Sequence, residues 1–313
     1  MPIDSPPTDQ HVAIVGGGTM GADIAALFLA GGWTAHIYVR PGVNRDSLTS
    51  RVQRSLKQLG RGNLRALLVV GELRDLAAVP VDLAIETVSE NLPLKQKVFA
   101  ELESLLAPET PLTSNSSSYP ISRIGEGLRT QQRMLGLHFF MPAHVVPLVE
   151  VVHSERTDPA VGRRVFDIMG SLGSKPVMVQ KDIVGFLANR LQHALMREAW
   201  SLVERGIATP ADIDTAVRFG FGFRYIAAGP FLQKDLSGLD THYAASSSTY
   251  PDLCNDVAPV PLLVSKIAEG ALGMKCGKGI YDWPASKAAA EKLRYERALS
   301  RGLDILRSEG DET

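Results

Sequence analysis

Little in this 313-residue chain is extreme, and its shortages exclude more than its abundances reveal. Two cysteines, Cys254 and Cys276, are too few for a disulfide framework and are not in CxxC spacing. The chain must therefore stand on its own core, and a reducing compartment is the simpler reading. No apolar run reaches membrane-spanning length. The opening MPIDSPPTDQ is polar and proline-rich, without the basic-then-apolar pattern of a secretion signal. Neither charge dominates: 33 Lys and Arg stand against 34 Asp and Glu, a formal net charge of -1. Nothing in that balance carries the footprint of a nucleic-acid or anionic-membrane binder. No His/Cys/Asp cluster has metal-ligand spacing, so no metal is expected. The expectation is a cytoplasmic protein whose partner is a small molecule.

What is present is ordinary and sufficient. Hydrophobic residues make up 45% and charged residues 21%, enough for a sizeable core, and the length allows two domains. HVAIV (11–15) reads as a short buried strand, TMGADIAALFLA as a helix stopped at Gly31-Gly32, and TAHIYV as a second strand. The stretch from Asn44 to Leu76 reads as irregular helix. VDLAIETV returns as a strand, and ENLPLKQKVFAELESLL is an amphipathic helix with Pro93 in its first turn and Val98, Leu102 and Leu105 on one stripe. TPLTSNSSS, RMLGLHFF and PLVEVVHS are further strands. Alternating strands and helices predict a mostly parallel, doubly wound sheet. Beyond Lys181 the pattern turns helical. DIVGFLANRLQHALMREAWSLVERG reads as one long helix, and TPADIDTAV opens another with Thr209 as N-cap and Asp212 closing a capping box. The expected class is α/β: an N-terminal Rossmann-like doubly wound domain, 1–180, and an all-helical C-terminal domain, 181–313. The acidic end, SEGDET, is expected to fray.

The first two strands flank VGGGTMGADIA, in which Gly16, Gly18 and Gly21 match G-x-G-x-x-G. The first glycine makes the tight turn, the second lets a diphosphate approach the backbone, and the third lets helix and strand pack closely. The helix N-terminus adds free N–H donors and partial positive charge. Gly16, Gly18, Thr19, Met20 and Gly21 are the coenzyme-binding candidates here. A carboxylate that grips the adenosine ribose normally follows at the end of the second strand. Val39 holds that place, and Arg40 comes next. Arg40, with Arg45 nearby, can pair with a 2′-phosphate through a charge-assisted fork, which favours NADP(H) over NAD(H). Alternatively Arg40 is a solvated loop residue and NAD binds with fewer ribose contacts.

SNSSSYPI, LGLHFFMPAHVVPLVEVV and DIVGFLANRL follow in order. With GGGTMG, DIDTAV, GPF…D..GLD and the closing GMKCGKGIYDW they resemble the 3-hydroxyacyl-CoA dehydrogenase family over nearly the whole chain. The resemblance implies hydride transfer between a nicotinamide and the 3-hydroxyl or 3-keto group of an acyl thioester. It maps the catalytic base onto His138, its orienting acid onto Glu150, and groups addressing the substrate oxygen onto Ser117 and Asn189. Such chemistry needs a base near neutral pKa and an acid to hold its ring. Ser116 and Ser118 compete with Ser117 for register. His144 is the reserve base, and both His144 and His153 are expected at the surface. The resemblance further places Glu90 and Lys95 near the nicotinamide ribose and Asn115 near the nicotinamide, and implies a homodimer formed through the helical domain.

Three departures matter. The family's HFFNP is HFFMP here, so Met141 makes the pocket less polar. The helical hairpin that members place after the second strand, and use to bind coenzyme A, has only a short span here. GFGFRYIAAGPF, with Arg224, looks more like the gulonate and carnitine dehydrogenase branch, which oxidises free 3-hydroxy acids. Arg224 can grip a substrate carboxylate or form a surface or intersubunit salt bridge. A free 3-hydroxy acid is therefore the alternative substrate, and a non-catalytic dinucleotide-binding protein the second alternative.

Overall fold

The computed structural model describes residues 9–308. Most of MPIDSPPTDQ, and SEGDET beyond Ser308, lie outside the described residues. By internal contacts the chain divides into two units, Met1–Asn189 and Arg190–Thr313.

The first unit holds an eight-stranded sheet. Its strands are β1 His11–Val15, β2 Thr34–Tyr38, β3 Leu67–Val70, β4 Leu83–Glu86, β5 Leu112–Ser114, β6 Met134–Phe139, β7 Leu148–Val152 and β8 Lys175–Val179. Their order is β3-β2-β1-β4-β5-β6-β7-β8, parallel throughout except for the antiparallel pair β6–β7. The helices are α1 Thr19–Ala30, α2 Arg45–Leu59, α3 Leu92–Leu105, the single turn α4 Ile121–Ile124 and α5 Pro159–Ser171. Because strand side chains alternate, the two faces carry separate cores. Val12, Ile14, Ala35 and Ile37 pack with α1, α2 and α5 on one face. Ala13, Val15, Ala84 and Leu112 pack with α3 and α4 on the other. The doubly wound sheet is thus the expected one.

Some elements differ from those expected from the sequence. The span 44–76 is not one irregular helix. Helix α2 is capped by Asn44 and ends at Gly60, and Leu67–Val70 leaves to pair with β2 as an edge strand. The run LLVV is short and apolar, and such runs look alike in helix and strand until a pairing edge decides. Helix α5 and strand β8, unassigned from sequence, extend the sheet past β7. The long helix starts at Ala188 rather than Asp182. Gly185 and Phe186 both have positive φ, which a right-handed helix cannot hold.

The second unit is helical among its described residues. It contains the rest of α6 (Ala188–Glu204), then α7 Pro210–Ala216, α8 Gly222–Arg224, α9 Pro230–Ser237, α10 Leu239–Thr249, α11 Pro261–Ala268 and α12 Ala285–Ser308. Thr209 and Asp212 form the expected capping box at α7. Among the described residues of this unit only Val260 and Ala271 are buried, whereas Phe231 is 88% exposed and Leu236 75%.

Candidate coenzyme and proton-transfer site

The glycine turn joins the end of β1 to α1. Gly16 has φ 124°, and a Cβ there would lie 2.7 Å from Thr87 Oγ1; a Cβ on Gly21 would lie 1.9 Å from the Gly16 carbonyl oxygen. Neither position tolerates a side chain, because helix and turn are in contact. Gly18, the N-cap of α1, differs: nothing stands within 4 Å of its would-be Cβ. The turn is closed behind and open in front, a cradle that fits a dinucleotide diphosphate. Thr19 is exposed and Met20 half-buried at the same opening. Val39 is buried, its side chain lying where a Cβ on Gly17 would clash, and Arg40 is exposed. The end of β2 therefore presents a cation and no carboxylate.

At the carboxyl ends of β4 and β5 lies a cluster that sequence reading found only in part. Glu86 is fully buried and accepts from Lys95 Nζ at 3.0 and 3.1 Å, from Ser114 Oγ at 2.6 Å and from the Val88 N–H at 2.6 Å. Burial pushes its carboxyl above the ordinary value, and Lys95, Ser114 and the Val88 N–H offset this only in part. Lys95 is 1% exposed and also meets Glu90 Oε2 at 3.2 Å. Its donors are committed inside the protein, so Lys95 meets the surface through Glu90 rather than by its own atoms. Glu90 in turn accepts from Ser116 Oγ at 2.5 Å and from the Ser118 N–H at 2.9 Å. Burial raises the Glu90 carboxyl, but the Ser116 bond, the Lys95 charge and the Ser118 N–H outweigh it, leaving a net lowering. Ser116 is occupied by Glu90 and the Tyr119 N–H, whereas Ser117 is exposed with no hydrogen bond among the described residues. Glu86 escaped the sequence reading because an acid ending an apolar run looks like a strand edge. The signal was available: Lys95 follows nine residues later on the buried stripe of α3.

His138 and Glu150 stand directly opposite each other in the β6–β7 pairing. Cross-strand partners point to the same face, so twelve residues of sequence become one contact. His138 Nδ1 meets Glu150 Oε2 at 2.7 Å, and both side chains are buried. This bond keeps the proton on Nδ1 and leaves Nε2 as the acceptor. Phe140 and Phe186 flank the imidazole, at 4.6 and 5.5 Å between centroids. The other carboxylate oxygen, Glu150 Oε1, accepts from the Leu187 N–H at 3.0 Å and the Ala188 N–H at 2.7 Å, which cap α6. Burial pushes the Glu150 carboxyl up, but His138 and these two N–H groups overcome it and hold it below its ordinary value. Its ionised form therefore supports folding at neutral pH, and that support is lost as pH falls through the lowered value.

Asn189 is half-buried and follows Ala188, so the Glu150 cap fixes its place in the first turn of α6. Asn115 Oδ1 accepts from the Phe139 N–H at 2.9 Å, tying the turn after β5 to the end of β6. Met141 is 65% exposed in the loop after β6. Arg224, in α8, donates to the side-chain oxygen of Gln233 (Nη1–O 2.7 Å in the amide orientation that satisfies both). It forms no salt bridge among the described residues. His144 and His153 are not surface residues. The His144 ring fits between α1 and α2, with Nδ1 3.3 Å from Asp23 and Nε2 against Gln58. His153 is 8% exposed, packs against Gly162, and burial lowers its pKa. Polar residues in a loop read as exposed; only packing shows the niche beneath. Among the described residues no group of three or more His, Cys, Asp or Glu is placed to hold a metal, and no helix is long and apolar enough to cross a membrane.

Residues 11–183 match the family described as "3-hydroxyacyl-CoA dehydrogenase, NAD binding domain", and residues 185–283 match its "C-terminal domain". The chain is 33% identical, over 92% of its length and 95% of the relative's, to the 5-formyl-3-hydroxy-2-methylpyridine 4-carboxylate 5-dehydrogenase of Mesorhizobium japonicum. It is 35% identical to the human mitochondrial hydroxyacyl-coenzyme A dehydrogenase, covering 88% of this chain and 91% of that one. A crystal structure of a 5-formyl-3-hydroxy-2-methylpyridine 4-carboxylic acid 5-dehydrogenase, described as an NAD+ dependent dismutase, superposes with a TM-score of 0.90. It shares 31% identity and covers 95% of this chain and 98% of that one.

Proposed function

Because this chain belongs to the 3-hydroxyacyl-CoA dehydrogenase family of NAD-binding oxidoreductases, we propose that it interconverts a hydroxyl and a carbonyl group on a small free carboxylic acid. His138 is the base and Glu150 the residue that orients it. The turn from Gly16 to Gly21 would hold the diphosphate of a nicotinamide dinucleotide, which would supply or accept the hydride. In the oxidative direction His138 Nε2 takes the hydroxyl proton, while Glu150 stabilises the imidazolium through Nδ1. Ser117 and Asn189 address the reacting oxygen, and in reduction they hold the carbonyl as negative charge develops. Glu90, held by Lys95 and Ser116, and Asn115 are assigned to the nicotinamide side.

The observation that carries the free-acid reading is the segment after β2. Where the family's coenzyme A hairpin is expected there is one helix, α2, followed by the edge strand β3. Met141 supports the same reading, as does the carboxylate in the name of the Mesorhizobium relative. The thioester reading stays second, supported by the human relative, which is named for a coenzyme A substrate. A panel of free 3-hydroxy acids, hydroxylated aromatic carboxylates and the matching coenzyme A esters separates them. We expect kcat/KM to favour the free acid by roughly tenfold or more, as one well-placed charged contact provides; the opposite ranking establishes the thioester.

For the coenzyme, buried Val39 and exposed Arg40 support acceptance of a 2′-phosphate, so NADP(H) is favoured alongside NAD(H). In the same panel Arg40→Ala should raise the KM for NADPH about tenfold and leave that for NADH within about twofold. Equal effects, or none, make Arg40 a bystander.

A helical unit with two buried residues among those described has little core of its own. Its exposed Phe219, Phe231 and Leu236 support a homodimer formed through this unit. Sedimentation at micromolar concentration should show twice the chain mass, and a species of 33.8 kDa alone would refute it.

A further inference from the structure

The G-x-G-x-x-G pattern does not include Arg51, yet the fold brings that residue to the same turn. Helix α2 packs along α1 in a register set by a buried bond, Ser55 Oγ to Asp23 Oδ1 at 2.9 Å. Four residues earlier on both helices, Arg51 Nη1 donates to Thr19 Oγ1 at 2.5 Å. Leu48, Val52, Ser55 and Leu56 form the buried face of α2, and Arg51 lies at its margin. Thr19 is the first residue of α1, next to Gly18. The guanidinium is therefore anchored beside the open side of the cradle.

Its electrostatics are unbalanced there. A helix N-terminus already carries partial positive charge, and the first turn of α1 has no acidic residue. No Asp or Glu among the described residues forms an ion pair with Arg51. Two positive features are thus held together in front of a glycine that leaves the space open. A doubly charged anion between them satisfies both.

We propose that Arg51 is a further coenzyme-binding residue, pairing with the diphosphate bridge alongside the backbone N–H groups of the turn. The proposal rests on the dinucleotide reading of that turn. Arg51 would exchange its bond to Thr19 for a charge-assisted bond to a phosphate oxygen, leaving the Thr19 hydroxyl able to donate as well. Its role differs from that of Arg40. Arg40 bears on the 2′ position, which distinguishes the two coenzymes, whereas Arg51 bears on a group that both share.

Binding titrations test this without turnover. The wild type, Arg51→Gln and Arg40→Ala are titrated with NADH, NADPH and ADP, with adenosine measured as a competitor, and each protein's melting temperature is recorded. Arg51→Gln should weaken NADH, NADPH and ADP alike, by roughly tenfold or more, and flatten the salt dependence of NADH binding. Adenosine should bind Arg51→Gln and wild type within about twofold of each other, because it lacks the diphosphate. Unchanged NADH and ADP affinity in Arg51→Gln overturns the proposal. An equal loss for adenosine, or a lowered melting temperature that tracks the loss, also overturns it, because the arginine would then only hold α2 in place. If the wild type binds neither dinucleotide, the coenzyme reading of the turn fails, and this proposal with it.

Discussion

Replacing His138 by alanine is expected to lower kcat by about three orders of magnitude on the best substrate, within the range that general-base removal covers. Coenzyme affinity should stay within about twofold, because the imidazole serves the substrate hydroxyl rather than the dinucleotide. Glu150→Gln should separate two functions that one side chain performs. Glu150 Oε2 orients the imidazole, and Oε1 caps α6 through the Leu187 and Ala188 N–H groups. The amide keeps the shape but removes the charge, so turnover should fall about as far as in His138→Ala. Stability should fall too, by about 1.5–3 kcal/mol, the size of hydrogen bonds to a charged group. The loss should shrink as pH drops into the carboxylate range, where wild-type Glu150 gives up its own contribution. Turnover in His138→Ala equal to wild type would remove the catalytic assignment and leave the non-catalytic binding protein as the better description.

Lys95→Met should be strongly destabilising to the first unit. Lys95 is the cation between Glu86 and Glu90, and Glu86 has no exposed surface. Breaking a buried ion pair from one side costs about 3–5 kcal/mol, because the remaining charge is stranded. For a unit of this size that is roughly 10 °C in melting temperature. The sign of the pH dependence follows from Glu86. Its carboxyl is raised by burial even with Lys95 present, and losing the cation raises it further. The folded variant then binds a proton that the unfolded chain releases, so its stability climbs as pH falls through the raised value toward the ordinary carboxylate range. Glu86→Gln in the Lys95→Met background should restore most of the loss at neutral pH, since no buried charge then lacks a partner. Thermal melts of the wild type and these two variants between pH 5 and pH 8, a window spanning ordinary His and perturbed carboxylate titration, check this. A Lys95→Met melting temperature that matches wild type and ignores pH would show that the cluster does not hold charge as its geometry indicates.

Much of this was legible before any coordinate. The strand–glycine–helix unit at 11–30 announced itself, because each of its glycines answers a separate steric demand and the demands are local. His138 and Glu150 could be named because two ordered motifs carried them. That they form a hydrogen-bonded pair depends on the antiparallel register of β6 and β7, which no local pattern expresses. The strand at 67–70 was missed because LLVV is apolar on both readings, and only the free edge of β2 selects one. The start of α6 was misplaced because Gly185 and Phe186 take a left-handed conformation that the apolar period ignores.

What the amino-acid order determined alone was the local chemistry: a turn that admits no side chain behind it, helices with their caps, a histidine and an acid in strands that alternate correctly. Short-range sterics and hydrogen bonding decide such features within a few residues. What the tertiary structure decided was which polar side chains meet. Glu86 with Lys95, Asp23 with His144, and Arg51 with Thr19 are joined across 9, 121 and 32 positions by helix packing and sheet order. A charge's energy depends on its burial and on its neighbours in space, and neither is a property of the residue next to it in the chain.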